Sequence, residues 1–337
     1  MSPKTPKSLK SLKTRLTEFF DIEHPILAAP MALISGGRLA AAVTSAGGLG
    51  LIGGGYGDSD WLQREFGLAD GRLAGGRKVG CGFITWSLAR KPELLDETLE
   101  RRPATIMLSF GDLRLFADRI HAAGVPLIAQ VQTLDHARQA LDAGAEILVA
   151  QGGEAGGHGM TVRSTFTLVP DVVDLVAERA PETLVLAAGG VADGRGLAAA
   201  LVLGADGVLV GTRFWASPEA LVSPRAHERA IRSSGDNTFR TRVYDIVRRL
   251  DWPLEYNERA LTNSFVGAWH GNEEQLSASL SDAVGAFEKA VAAEDFDVAA
   301  MLVGEAVGLI HDVRPAGVIV RDMVHDATRI LDQRAGT

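Results

Sequence analysis

The stretch HARQALDAGAEILVAQGGEAGGHG, residues 136–159, decides the fold. An Ala-rich segment suited to a helix ends at Gly144, and the apolar run EILVA follows at once. A glycine there closes a helix in the left-handed conformation and turns the chain sharply. The apolar run is continuous rather than alternating, as in a strand buried on both faces of a parallel sheet. The same unit recurs in AAAVTSAGGLGLIGGG (40–55), FADRIHAAGVPLIAQV (116–131) and GLAAALVLGADGVLVGT (196–212). Strands are expected at PILAAP (25–30), LGLIGG (49–54), KVGCGF (78–83), TIMLSF (105–110), PLIAQV (126–131), EILVAQ (146–151), LVLAAGG (184–190) and GVLVGT (207–212). Eight such units by about residue 222 fit an α/β (β/α)8 TIM barrel of roughly 250 residues. An open doubly wound sheet is the alternative, disfavoured because no GxGxxG follows the first strand.

Composition bounds the function. The chain has 337 residues, 46% of them apolar, enough for a real core. A net charge of -8 argues against sequence-independent nucleic-acid binding and against an anionic membrane surface. Cys81 is the only cysteine, so no intrachain disulfide is expected and a cytoplasmic protein fits. The basic start MSPKTPKSLKSLKTR has no apolar stretch behind it and reads as a tail or first helix. Residues 39–57 carry no charge, but seven glycines make them a helix, a turn and a buried strand rather than a membrane span.

After residue 222 no comparable strand run appears, and segments such as SASLSDAVGAFEKAVAAEDF (277–296) are amphipathic. The expected organisation is a barrel over 15–222, a helical insertion or lid over 223–310 and a C-terminal helix over 311–337 returning to the barrel. An insertion after strand eight sits over the C-terminal rim, where barrel active sites form.

Two glycine-rich strand ends, AAGGVADGRG (187–196) and VGTRF (210–214), follow strands seven and eight, the usual phosphate site of this fold. Gly189 and Gly190 let a phosphate approach backbone N–H groups, and a helix starting near Asp193 adds its positive end. Gly211 and Thr212 add a donor and a hydroxyl. In AQGGEAGGHG (150–159), the Gln151 amide both donates and accepts, which suits the pyrimidine edge of a flavin. The glycines up to Gly156 and Gly157 clear Cβ atoms from the path of a flat ring. His158 then lies near the ring face, and an imidazole titrating near pH ~6.5 suits a general base. Glu154 reads as a helix N-cap partner or a loop orienter, Cys81 as a core residue. The other histidines lack metal-ligand spacing, so no metal is expected.

AQGGEAGGHG resembles the signature of the nitronate monooxygenase family, formerly called 2-nitropropane dioxygenases. The resemblance extends to PILAAPM (25–31), AAVTSAGGLG (41–50), AAGGVADGRGLAAALVLGADGV (187–208) and GTRF (211–214). It implies FMN in a (β/α)8 barrel, held by residues matching Gln151, Gly156, Gly190, Gly211 and Thr212, with Met31 where the first strand meets the flavin. It implies His158 as base or substrate partner. Related sequences often carry an Asn late in the third strand; here Gly82 stands there. The implied reaction takes a small-molecule nitronate and O2 to a carbonyl compound with release of nitrite or another nitrogen oxide. Arg213 either favours the substrate anion or points outward. An FMN-dependent NAD(P)H:quinone or enoyl-thioester reductase is the alternative, and a non-catalytic flavin- or phosphate-binding module is a third. A homodimer through the insertion is compatible with this composition, which does not fix the oligomeric state.

Overall fold

The computed structural model describes residues 12–335; residues 1–11 of the basic N-terminal stretch, and 336–337, lie outside it. Eight parallel strands close a barrel: β1 (Ile26–Ala28), β2 (Leu49–Gly55), β3 (Gly80–Ile84), β4 (Ile106–Ser109), β5 (Leu127–Val131), β6 (Ile147–Gln151), β8 (Leu184–Ala188) and β9 (Gly207–Val210), with β9 pairing back to β1. Each overlaps one of the eight runs read from the sequence. The fold is therefore a (β/α)8 TIM barrel and not an open sheet.

The glycines that punctuate the repeat behave as expected. Gly47, Gly124, Gly144 and Gly204 all have positive φ. Each is followed by an N–H reaching back five residues, as from Gly48 to Val43, Val125 to Ile120, Ala145 to Ala140 and Ala205 to Ala200. These are Schellman closures, which satisfy helix carbonyls while reversing the chain into the next strand.

The strands lack alternation because they have two cores. Leu27, Leu51, Met107, Val149, Leu186 and Leu209 fill the barrel interior. Their neighbours Ile26, Ala28, Ile52, Leu108 and Val208 face the helix layer. The helix Arg15–Phe20 sends Leu16 into the interior cluster. The Arg15 guanidinium is 2.8 Å from Asp206, just before β9, so this helix plugs the N-terminal end. The last helix, Ala316–Ala335, packs Ile319, Val320, Met323 and Val324 into the outer layer with Leu39 and Leu197. No helix among the described residues is long and apolar enough to cross a membrane.

The region after residue 222 departs from the all-helical expectation. Its helices include Pro224–Ile231, Ser264–Trp269 and Leu280–Ala292, but it also contains β10 (Thr238–Thr241) and β11 (Asn257–Leu261). These pair antiparallel, and β11 pairs with β7 (Gly157–Gly159), a strand within the glycine-rich loop after β6. The insertion has its own small core around Tyr244, Phe265 and Phe287. Charged residues in TFRT and NERAL hide these strands from a hydrophobicity reading.

Candidate active site

A cavity of about 630 Å³ opens at the C-terminal ends of the strands, under the insertion. Met31, Gln151, Gly156, Gly157, His158, Gly189, Gly190, Gly211 and Thr212 all line it. The topology brings these nine residues together, while Arg213 lies outside the cavity.

Its floor offers donors. Gly189 and Gly190 have φ of 100° and 76°, a region side chains disfavour. Among the described residues, no protein acceptor takes the N–H of Gly189, Gly190 or Gly211. Two expected details differ. The Asp193 carboxylate already accepts from the N–H groups of Arg195 and Gly196, so its negative charge closes the N-terminus of the helix Gly194–Val202 to a phosphate. The Thr212 hydroxyl accepts from Gly304 N–H at 2.9 Å, which takes one of its two lone pairs and leaves its O–H free to donate outward.

Gln151 also does more within the protein than the flavin-edge reading assigns it. Its Oε1 accepts from Gln130 at 3.1 Å and Gln132 at 2.9 Å, and its Nε2 donates to the His158 carbonyl at 3.3 Å. It ties β5 to the histidine loop. Gln130 also lines the cavity, so a second amide stands beside Gln151. Gly82 is explained by crowding: a Cβ there would lie 2.3 Å from the Pro30 ring, which fills the space an Asn would need. Glu154 accepts from Thr165 N–H at 3.0 Å and so serves the N-terminus of the helix Thr165–Arg179. Cys81 is fully buried in β3, and burial pushes its thiol pKa up. Arg213 pairs with Asp312 at 2.8 Å and does not line the cavity.

The glycine-rich loop is stitched in place from the insertion. Arg240 of β10 donates to the carbonyls of Gly153, Ala155 and Gly159, and Arg259 of β11 to Gly153. Burial lowers the Arg240 pKa to about 10. Residues 303–304 press on the loop as well, because a Cβ on Gly156 would lie 2.4 Å from the Gly304 nitrogen and 2.5 Å from the Val303 carbonyl carbon. Gly156→Ala is expected to cost about 1–3 kcal/mol by overpacking. Calorimetry would show a lower Tm, and cofactor retention after gel filtration would fall with it.

His158 sits on β7 directly across from Glu258 on β11. Its Nε2 lies 2.9 Å from Asp245 Oδ1 and 3.8 Å from Glu258 Oε2. The ring stacks on Trp252 at 3.4 Å with a 5° interplanar angle. Trp252 in turn donates to the Tyr56 hydroxyl and meets Phe110 edge-on. Phe110 lines the cavity with φ of 66°, a strained conformation for a bulky side chain. Burial holds the His158 imidazole well below its ordinary pKa, and Arg248, Arg240 and Arg242 reinforce this against Glu258. Burial pushes the Asp245 and Glu258 carboxyls up.

Asp245, Glu258, Arg248 and Trp252 escaped the sequence reading. They come more than eighty residues after His158 and form no motif with it. His158, Asp245 and Glu258 place three ligand-type atoms within 4.8 Å of one another. The Arg248 guanidinium, 2.6 Å from Glu258 and 3.5 Å from Asp245, already supplies a cation there. That charge balance disfavours a divalent metal among these groups.

The free N–H groups, the paired amides and a buried imidazole on the cavity wall fit a flavin, and the barrel around them is that of a flavin-dependent oxidoreductase. The chain belongs to the nitronate monooxygenase family, whose model matches residues 13–69 and 90–326. It is 33% identical to a nitronate monooxygenase of Neurospora crassa over 97% of this chain and 95% of that one. Among solved structures it is similar to FabK from Thermotoga maritima, with 31% identity, a TM-score of 0.84 and coverage of 97% and 99%. It is also similar to nitroalkane oxidase from Streptomyces ansochromogenes, with 25% identity, a TM-score of 0.78 and coverage of 95% and 100%.

Proposed function

We propose that this chain oxidises alkyl nitronates and their parent nitroalkanes with FMN and O2, yielding a carbonyl compound and nitrite or another nitrogen oxide. The observation that carries this reading is the buried imidazole of His158, held neutral on the cavity wall with a carboxylate on one nitrogen. The phosphate of FMN is assigned to the N–H groups of Gly189, Gly190 and Gly211 with the Thr212 hydroxyl. Gln151, Gln130, Gly157 and Met31 line the ring slot. The chemistry a bound flavin supplies is acceptance of two electrons from the substrate and their delivery to O2.

The side chains supply position and a proton site. With Nε2 donating to the Asp245 carboxylate, Nδ1 carries the lone pair. Asp245 then fixes the tautomer, and a nitroalkane gives its α-proton to Nδ1. A nitronate has no such proton to lose, so His158 orients it instead. Trp252, Phe110 and Tyr256 cover the histidine and limit water. Residues 223–310 form the lid that carries Asp245 and Trp252 over the barrel.

A pH profile checks the imidazole. A depressed pKa keeps the His158 imidazole unprotonated as the pH falls, so an acid limb in kcat/KM for nitroethane should come from Asp245, whose buried carboxyl is pushed up to about 7 and must be ionised to fix the tautomer. Asp245→Asn should remove a limb near pH 7, and a limb that stays there would assign it to the histidine.

A second reading, an FMN-dependent enoyl-thioester reductase using NAD(P)H, is favoured by the likeness to FabK. The test separating the two is oxygen uptake with propionate 3-nitronate, together with identification of the flavin released on denaturation. Released FMN with nitronate-dependent oxygen uptake supports the first reading. FMN without that uptake removes it.

A further inference from the structure

Nitronates are anions, and the residues given roles above include no cation for them. The cavity wall beside His158 has one. Arg248 follows the short helix Val243–Val247 and lines the cavity with Tyr56, His158 and Trp252. Its contacts are unequal. Nε donates to the Tyr244 carbonyl at 3.0 Å, and Nη2 donates to Glu258 at 2.6 Å and reaches Asp245 at 3.5 Å. Nη1 has no protein partner among the described residues, yet it is not among the buried polar atoms left without one. The side chain keeps 26% exposure, whereas Glu258 has none. One edge of the guanidinium is thus locked into the protein and the other is left for the cavity.

We propose that Arg248 anchors the substrate's anionic oxygens through Nη1, which makes it a binding residue selecting planar oxyanions. This rests on the reading of the chain as a nitronate oxidase and adds the residue that recognises the charge. The Glu258 pairing holds the guanidinium in one orientation, as a binding contact requires. It does not cancel the local charge. Arg240, Arg242 and Arg248 face His158 as three guanidiniums against two carboxyls, Asp245 and Glu258, both of which burial pushes up. A neutral His158 leaves that surplus for an anion. Arg213, the candidate cation from the sequence, spends its charge on Asp312 outside the cavity.

The test uses sodium nitrate, a planar trigonal oxyanion that cannot be oxidised, titrated calorimetrically into purified holoprotein. Wild type should bind it saturably, and Arg248→Met should weaken it about tenfold or more, the scale of one charge-assisted hydrogen bond. Arg248→Met leaves Glu258 alone in the interior, so the double variant Arg248→Met/Glu258→Gln is measured beside it. That variant removes the orphaned Glu258 charge and leaves Asp245 with His158 and the nearby Arg242, so it should show the same loss. Binding by the double variant within about threefold of wild type, or no saturable binding by wild type, overturns the proposal. Oxygen uptake with propyl nitronate on the same samples tests the parent reading separately. A KM raised about tenfold in the variants with a smaller change in kcat supports the anchor. An unchanged KM overturns the anchor alone, and absence of turnover in wild type overturns the parent reading.

Discussion

His158→Asn is expected to lose about 10²–10⁴ of kcat/KM toward nitroethane, and far less toward ethyl nitronate. The difference follows from what each substrate needs. The nitroalkane must give up an α-proton, and in the proposed mechanism the imidazole, whose pKa burial lowers, is the group that takes it. The nitronate arrives without that proton, so losing the base removes only orientation. Asn cannot reproduce the 3.4 Å stack on Trp252, so both reactions should suffer slightly from a loosened lid. The bound-flavin absorbance reports whether the slot survives. Steady-state rates with the two substrates check the prediction; equal losses would make His158 a positioning residue and not a base.

Glu258→Ala is expected to be the most destabilising single change in the insertion, by about 3 kcal/mol. The carboxylate is fully buried and sits 2.6 Å from Arg248. Its removal leaves the Arg248 guanidinium with one carboxyl partner, Asp245 at 3.5 Å, and opens a void where the Glu258 side chain stood. The cost should fall at the low end for broken buried pairs because Arg248 keeps some access to the cavity. By contrast, removing Asp206 from its pair with the half-exposed Arg15 should cost less through charge alone. Chemical denaturation of Glu258→Ala, Arg248→Met and the double Arg248→Met/Glu258→Gln measures this. The double variant should be more stable than the sum of the single losses. Strict additivity would mean the pair is not coupled.

Most of the barrel was legible because its local and tertiary signals agree. A glycine that must be left-handed stands at the end of a helix, and an apolar run that must be buried on two faces follows it. Gly144 and EILVA are one such pair. The small sheet was illegible for the opposite reason. Arg240, Glu258 and Arg259 sit in its strands, and Arg240 and Glu258 are buried only because the carbonyls of the glycine loop and the Arg248 guanidinium meet them. A rule that puts apolar residues inside cannot see a polar interior held by its own ion pairs, even one in which Asp245 Oδ2 and Glu258 Oε1 stay without a hydrogen-bond partner.

The site was legible on the barrel side and dark on the lid side. The glycines and His158 lie in one dense stretch at strand ends, where the fold focuses chemistry. Asp245, Arg248 and Trp252 lie in VYDIVRRLDW, an ordinary amphipathic sequence whose importance comes from where the insertion lands. Glu258 gave no hint either, because it stands in NERAL beside Asn257 and Arg259, a run that reads as exposed and polar. Gln151 shows the converse limit. Its residue type was read for a ligand, while three partners within the protein take much of its hydrogen-bonding capacity.

In the proposed reaction electrons enter this site from a nitronate and not from a pyridine nucleotide. Anaerobic mixing of the purified holoprotein with propionate 3-nitronate, and separately with NADH or NADPH, tests it through the flavin absorbance. Rapid bleaching by the nitronate is expected, with none on the same timescale by either nucleotide, and turnover once O2 is admitted. Rapid bleaching by NADH or NADPH with no response to the nitronate would contradict it and establish the reductase reading.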